Sequence, residues 1–336
     1  MKLQILLTRK FFQQDIDYIK TRLLPDCEVI IPEEYTEKSL LKYAGEMDVF
    51  LGNFLSEGLL RNARKLRLIQ IPWTGVDNLD FNLLSKFKVT VCNSHSNSGI
   101  IAEHAIAMLL ALLKKIPYHH NLLKDGLWNR PEEGMVQRSD VDIFSDTILY
   151  KTIALIGYGA IGRKIRQYLS GFDLRFIATN NFNETDNCEE LDQITTPDNL
   201  DVILSQADVV FVTVPLTPET ENLIDRVAFQ HFKSSAFLVN ISRSRIVNEE
   251  ALYEALVKGR IRGAAIDTWY QYPGKSQKQI FPSKFPIHTL HNVLLSPHRA
   301  GFVKDTLPHL DDAIDNINNL AQEKTLKNVV NIKNRY

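Results

Sequence analysis

The segment "TIALIGYGAIGRKIRQYL", Thr152–Leu169, fixes the class of fold. "TIALI" is a short unbroken apolar run, the pattern of a strand buried on both faces, and "RKIRQYL" has helical spacing. Between them Gly157-Tyr158-Gly159-Ala160-Ile161-Gly162 reads G-x-G-x-x-G. In that context Gly157 permits a tight turn, Gly159 lets the backbone approach a pyrophosphate, and Gly162 allows the helix to pack closely. The first turn of the helix then offers its free N–H groups to the anion. The six residues together are expected to bind a dinucleotide, yet they lie in the middle of a 336-residue chain.

On both sides of this loop, apolar runs alternate with helical patterns. "LQILLT", "CEVIIP", "MDVFLGN", "LRLIQIP" and "KVTVCN" are separated by "QQDIDYIKTRLL", "SLLKYAG" and "GLLRNARK" as far as about residue 93. A long apolar helix is expected from Ile100 to Lys115. A second series runs from "KTIALIG" through "LRFIATN", "DVVFVTVP", "AFLVNIS" and "GAAIDTW" to "NVLLSP", and "DDAIDNINNLAQ" closes the chain as a helix before a polar tail. Such alternation predicts βαβ units, parallel sheets and two lobes of similar design.

Composition narrows the function classes. The chain is 44% hydrophobic and 24% charged with a net charge of −1, which gives no bulk electrostatic reason to bind nucleic acid or an anionic membrane. Cys27, Cys92 and Cys188 form no CxxC pair, so neither a disulfide framework nor a zinc site is expected, and no metal centre is assigned. The apolar stretch in "MKLQILLTRK" is too short for a secretory signal, and "AIAMLLALL" spans about half a membrane. A cytoplasmic protein is expected.

The strand "LRFIATNNF" should end in an acid that bonds the adenosine ribose. Asn180 stands there. An amide can bond a ribose hydroxyl but does not repel a 2′-phosphate, and no Arg or Lys follows to attract one, while Glu184 and Asp186 lie downstream. NAD is slightly favoured, with NADP possible.

Three further segments, "VPLTPETENLID" (214–225), "VNISRSRIVNEEAL" (239–252) and "NVLLSPHRAG" (292–301), together with "NSGIIAEHAIAMLLAL", "GLWNR" and the terminal "NVVN", occur in order across nearly the whole chain. In this they resemble the D-isomer-specific 2-hydroxyacid dehydrogenases. The resemblance implies two Rossmann-like, doubly wound α/β domains: a nucleotide-binding domain (101–301) inserted into a flavodoxin-like substrate domain (1–100 and 302–336). It also implies a homodimer, and a small 2-keto or D-2-hydroxy acid as substrate.

Residue by residue, the resemblance gives Arg243, in N-x-x-R after Asn240, the task of binding a substrate carboxylate and polarising the carbonyl, with Arg245 as the rival assignment. His298, in Ser296-Pro297-His298, corresponds to the acid/base histidine. Asp267 corresponds to a strand-end aspartate that orients the nicotinamide carboxamide, although taken alone it could equally cap the following segment. Val214, Pro215, Thr220 and Ile241 would line the dinucleotide. Gly75 and Val76, in "WTGVDN", would hold the substrate carboxylate through backbone N–H groups, with Asn53 and Trp73 forming pocket wall. The other eight histidines gain no such support.

The chain departs from the family at Tyr272, where most members carry the glutamate that pairs with the histidine. From Thr268 to His298 there is no acid at all. Tyrosine leaves three readings open: a keto-acid reductase with a less basic histidine, an oxidation of the formate-dehydrogenase kind that needs no proton exchange, or a dinucleotide-sensing protein with little turnover. Arg243 and His298 together favour an NAD(P)-dependent oxidoreductase. The segment from Asp267 to His298 is longer than the family leads one to expect and could cover the site or form an oligomer contact.

Overall fold

The computed structural model describes residues 2–130, 144–181, 188–274, 278–304 and 306–336. Glu184, Asp186 and Lys275 fall outside them. The chain forms two compact units, residues 1–97 with 303–336, and residues 98–302.

In the first unit, β1 (Leu3–Leu7), β2 (Cys27–Ile30), β3 (Val49–Leu51), β4 (Leu68–Gln70) and β5 (Thr90–Cys92) form a parallel sheet of order β2-β1-β3-β4-β5. Alternate residues of its strands enter two separate cores. Leu6, Phe50, Ile69 and Val91 lie in one, and Ile5, Leu7, Leu51 and Leu68 in the other. The C-terminal helix Asp311–Ala321 covers the second face with Ile314 and Ile317. The tail expected to be merely polar is tied down as well. Val329 pairs with Cys92, and Val330 is 5% exposed in the core, because the tail runs alongside β5 and turns Val330 inward.

The second unit carries β6 (Thr152–Ile156), β7 (Arg175–Thr179), β8 (Gln193–Thr195), β9 (Val209–Val212), β10 (Phe237–Asn240), β11 (Gly263–Ile266) and β12 (Val293–Leu295), all parallel. Their order is β12-β11-β10-β9-β6-β7-β8, which reverses at β6. Helices on both faces bury the sheet. Ala154, Ile156, Val210 and Val212 face one core and Ile153, Leu155, Val209 and Phe211 the other, which is why these strands read as continuous apolar runs. Each such side chain stabilises the fold by roughly 1.5–3 kcal/mol on full burial. The helix Ser98–Leu113 begins two residues earlier than expected and stops before Lys115, whose φ of +50° ends the helical turn. Its Ala105, Met108 and Leu109 pack into the second core.

Parallel strands in one order leave all their carboxyl ends on one edge. In an open α/β sheet the ligand crevice lies outside that edge, where the strand order reverses. The glycine loop after β6, Asn180 after β7, Val214 after β9, Arg243 after β10, Asp267 after β11 and His298 after β12 all leave the second sheet along this edge.

Candidate active site

The loop after β6 shows what its glycines are for. Gly157 has φ of +95°, and a Cβ there would lie 2.8 Å from Val214 Cγ1. At Gly162 a Cβ would meet the carbonyl oxygen of Gly157 at 2.6 Å, so only glycine lets the helix Ala160–Tyr168 sit against the turn. In front of Gly159 there is open space, and no side chain caps the helix. The first-turn N–H groups are therefore left without a side-chain acceptor, the arrangement that favours an anion. Tyr158 differs from its neighbours because its side chain is 1% exposed in the core and its hydroxyl donates to Glu190 at 2.8 Å. Only its backbone belongs to the loop surface. Burial, then Glu190, pushes this phenol well above its ordinary range.

Around the loop, Asn180 is half-buried and its backbone N–H bonds Thr195 O at 3.0 Å. Thr220 donates its hydroxyl to Pro215 O at 2.6 Å and accepts from Thr217 N at 2.8 Å, closing the turn that follows Val214. Ile241 is 6% exposed.

Asn240 proves to be more than a spacing marker for Arg243. Buried at 1% exposure, its side chain donates to Arg243 O at 3.1 Å and accepts from Ser242 N at 3.1 Å, stapling the bend that presents the arginine. The Arg243 guanidinium, half-buried, donates from Nη1 to Ser242 O at 2.9 Å. The rival Arg245 points to the surface and pairs with Glu221.

On the neighbouring strand ends the imidazole of His298 meets the hydroxyl of Tyr272, with Nδ1 and the phenol oxygen 2.9 Å apart and the ring centroids 5.7 Å apart. The backbone N–H of Trp269 donates to the same phenol oxygen at 3.0 Å. The hydroxyl can thus accept from Trp269 and give its own hydrogen to Nδ1. The described remainder of the long segment bonds to other residues of its own unit. Tyr270 donates to Val247 O at 2.7 Å, Ser283 to Glu249 at 2.8 Å, and Phe285 stacks on Tyr253.

The Asp267 carboxylate is wholly buried, and its oxygens accept from Ser296 Oγ at 2.5 Å, Arg299 N at 2.7 Å and Ala300 N at 3.1 Å. It anchors the loop bearing His298. His104, passed over in the sequence, stands beside this group with Nε2 at 3.0 Å from Ser296 Oγ. The available signal was its place in the apolar helix, a polar ring on a mostly buried element.

In the other unit Asn53 follows β3, and Trp73, Gly75 and Val76 follow β4. Thr74 fixes this turn by donating to Ser94 O at 2.9 Å and accepting at its carbonyl from Asn93 Nδ2 at 2.7 Å. Val76 is buried, and the guanidinium of Arg9, also unremarked in the sequence, lies 4.5 Å above the Trp73 ring. Among the described residues no group of three metal-ligating side chains occurs, and no helix is long and apolar enough to cross a membrane.

Comparison with known proteins identifies the family. Residues 106–300 match the profile of the D-isomer specific 2-hydroxyacid dehydrogenase, NAD binding domain. The chain is 28% identical over 313 residues to the D-3-phosphoglycerate dehydrogenase of Methanocaldococcus jannaschii, covering 91% of this chain but only 56% of that protein. It thus spans little more than half the length of that relative. With the glycerate dehydrogenase of Methylorubrum extorquens it shares 30% identity over 260 residues, 77% of either chain. A probable 2-hydroxyacid dehydrogenase from Rhizobium etli, solved in complex with NADP, HEPES and L(+)-tartaric acid, superposes with a TM-score of 0.78 at 18% identity over 100% of both chains. The profile match alone takes in more than half of the 336 residues, and the chain belongs to the D-isomer specific 2-hydroxyacid dehydrogenase family.

Proposed function

We propose that the protein is an NAD(P)-dependent oxidoreductase that moves a hydride between nicotinamide and a small 2-keto or D-2-hydroxy acid. The observation that carries this reading is the placement of a stapled arginine after β10 and a partnered histidine after β12, two strands of one sheet with β11 between them, on the edge where the glycine loop emerges. The uncapped helix and the open space before Gly159 fit a pyrophosphate. When bound, the dinucleotide supplies or takes up the hydride. Arg243 holds the substrate carboxylate through paired charge-assisted hydrogen bonds and draws electron density from the carbonyl. His298 gives a proton to the oxygen during reduction and removes it during oxidation, and Tyr272 orients the ring. In the first unit, Gly75 and Val76 are assigned to substrate binding through their backbone N–H groups, with Asn53 and Trp73 as further substrate-binding residues.

Asn180 admits NADP alongside a slight preference for NAD, since it lacks the charge that would repel a 2′-phosphate. We further assign the protein to the cytoplasm, as a homodimer.

Absorbance of the reduced nicotinamide, followed with NADH and NADPH against a panel of 2-keto acids, tests the proposal. Turnover that disappears in Arg243→Met and His298→Asn is the expected result. Dinucleotide binding with no turnover across the panel would assign the chain to a sensing role instead.

A further inference from the structure

His298 has φ of +56°, a left-handed conformation that a residue with a side chain adopts only when its surroundings over-determine it. Its own side-chain bond to Tyr272 does not fix the backbone. The bonds that do so converge on one buried carboxylate. Asp267 Oδ1 accepts from the Ser296 hydroxyl, two residues before the histidine, and from Arg299 N, one residue after it; Oδ2 accepts from Ala300 N. Ser296 is held a second time through its carbonyl, which accepts from the Trp269 indole N–H at 2.7 Å and from His298 N at 3.0 Å. The loop is wrapped around Asp267, and His298 occupies the crest of the wrap.

We propose that His104, Ser296 and Asp267 act as one positioning clamp for His298, with His104 as its remote end. The directions of the hydrogen bonds follow from the chemistry of the groups. Burial opposes ionisation of Asp267, but bonds from His104, Ser296 and the two backbone N–H groups outweigh it and keep this carboxyl below the usual carboxylate range. An ionised carboxylate only accepts. The Ser296 hydroxyl must therefore give its hydrogen to Oδ1, which leaves Oγ to accept from His104 Nε2 at 3.0 Å. The same Nε2 lies 3.5 Å from Oδ1, so the ring supports serine and carboxylate together. His104 comes from the helix Ser98–Leu113, whose Met108, Leu109 and Leu113 are anchored in the core, and it ties the 296–300 loop to that core-packed helix.

This inference rests on the reading of His298 as the acid/base, and it gives Asp267 a positioning task beside the nicotinamide contact that the family resemblance implies. The two tasks separate experimentally. In His104→Leu, kcat for keto-acid reduction should fall roughly tenfold, the scale of one lost buried hydrogen bond. The Kd for NADH, read from protein fluorescence, should stay within about twofold of its starting value, and the amides of Arg299 and Ala300 should exchange with deuterium roughly tenfold faster. His104→Gln, which keeps an N–H donor at similar reach, should recover most of both effects. Ser296→Ala, a smaller change that cuts the link between ring and carboxylate, should reproduce the faster exchange if the leucine variant does not fold. Unchanged exchange at the two amides, or NADH affinity that falls in step with kcat, overturns the clamp. Should the wild-type protein reduce no keto acid, the acid/base reading fails, while amide exchange still decides whether the clamp exists.

Discussion

The hydroxyl of Tyr272 lies 2.9 Å from Nδ1 of His298, a phenol beside the imidazole where the family resemblance implies a carboxylate. It is fixed there from behind by the backbone N–H of Trp269. A phenol can orient the ring as a carboxylate does, but it supplies no negative charge to hold a proton on it.

Replacing Tyr272 by Glu should therefore strengthen proton binding by His298. The pH at which keto-acid reduction falls off should rise by roughly one unit, while Tyr272→Phe should lower kcat without moving that limb upward. A glutamate variant with an unshifted profile would separate the side chain from proton affinity.

In the wild-type protein the neutral imidazole should carry its hydrogen on Nε2, because the phenol gives its own to Nδ1. Nitrogen-15 chemical shifts of labelled His298 report the tautomer directly. In Tyr272→Glu the hydrogen should move to Nδ1, where the carboxylate accepts it.

Arg243 and Arg245 should behave very differently. Arg243→Met removes the proposed carboxylate partner and should reduce kcat/KM about a hundredfold or more, on the scale of a charge-assisted pair of hydrogen bonds. Arg245→Met removes only a surface pair with Glu221 and should leave kcat/KM within about twofold. Asn240→Ala, which unpins the bend, should fall between the two.

Cofactor selection should respond to Asn180. Asn180→Asp restores a carboxylate that bonds the ribose hydroxyls and repels a 2′-phosphate, and it should raise the ratio of kcat/KM with NADH over NADPH by about tenfold. Steady-state assays with the two cofactors measure it.

Acidification should weaken the first unit before the second. Burial lowers proton affinity at His95 and at His309, against the opposing carboxylates Asp312 and Asp15. A histidine with a lowered folded pKa contributes stability that is present above about pH 6.5 and lost as pH falls through its folded value. Asp267 is lowered as well, but from a carboxylate's starting value, so its share in the second unit persists until pH drops below about 4. Thermal unfolding at about pH 7.5 and about pH 5.5 should show a fall of a few degrees, smaller in the double variant His95→Asn, His309→Gln.

The alternation of apolar runs with helical spacing was enough to give two parallel α/β series, because burial on both faces of a sheet demands continuous apolar strands such as "TIALI" and "VVFV". β8, Gln193–Thr195, escaped notice because an edge strand of three half-buried residues has no apolar pattern to show. The glycine loop and Asn180 could be picked out for a similar reason, whereas Arg243 and His298 were assigned through the family resemblance. Each follows a strand, and parallel strands bring their carboxyl ends to one edge whatever the loops contain.

Local pattern does not specify which side chains meet across that edge. Tyr272 and His298 are 26 residues apart, and His104 and Ser296 are 192 apart. Their contacts exist because β11 and β12 are neighbours and the helix Ser98–Leu113 packs beside them. The burial of Asp267 has the same origin, since only the path of the 296–300 loop decides whether a strand-end carboxylate meets solvent or backbone N–H groups. Sequence by itself determined the elements, their order and the chemistry each strand end carries, through short-range periodicity and backbone sterics. Tertiary structure alone decided the hydrogen-bond partners, because a hydrogen bond depends on distances of a few tenths of an ångström that are set by packing between elements remote in the chain.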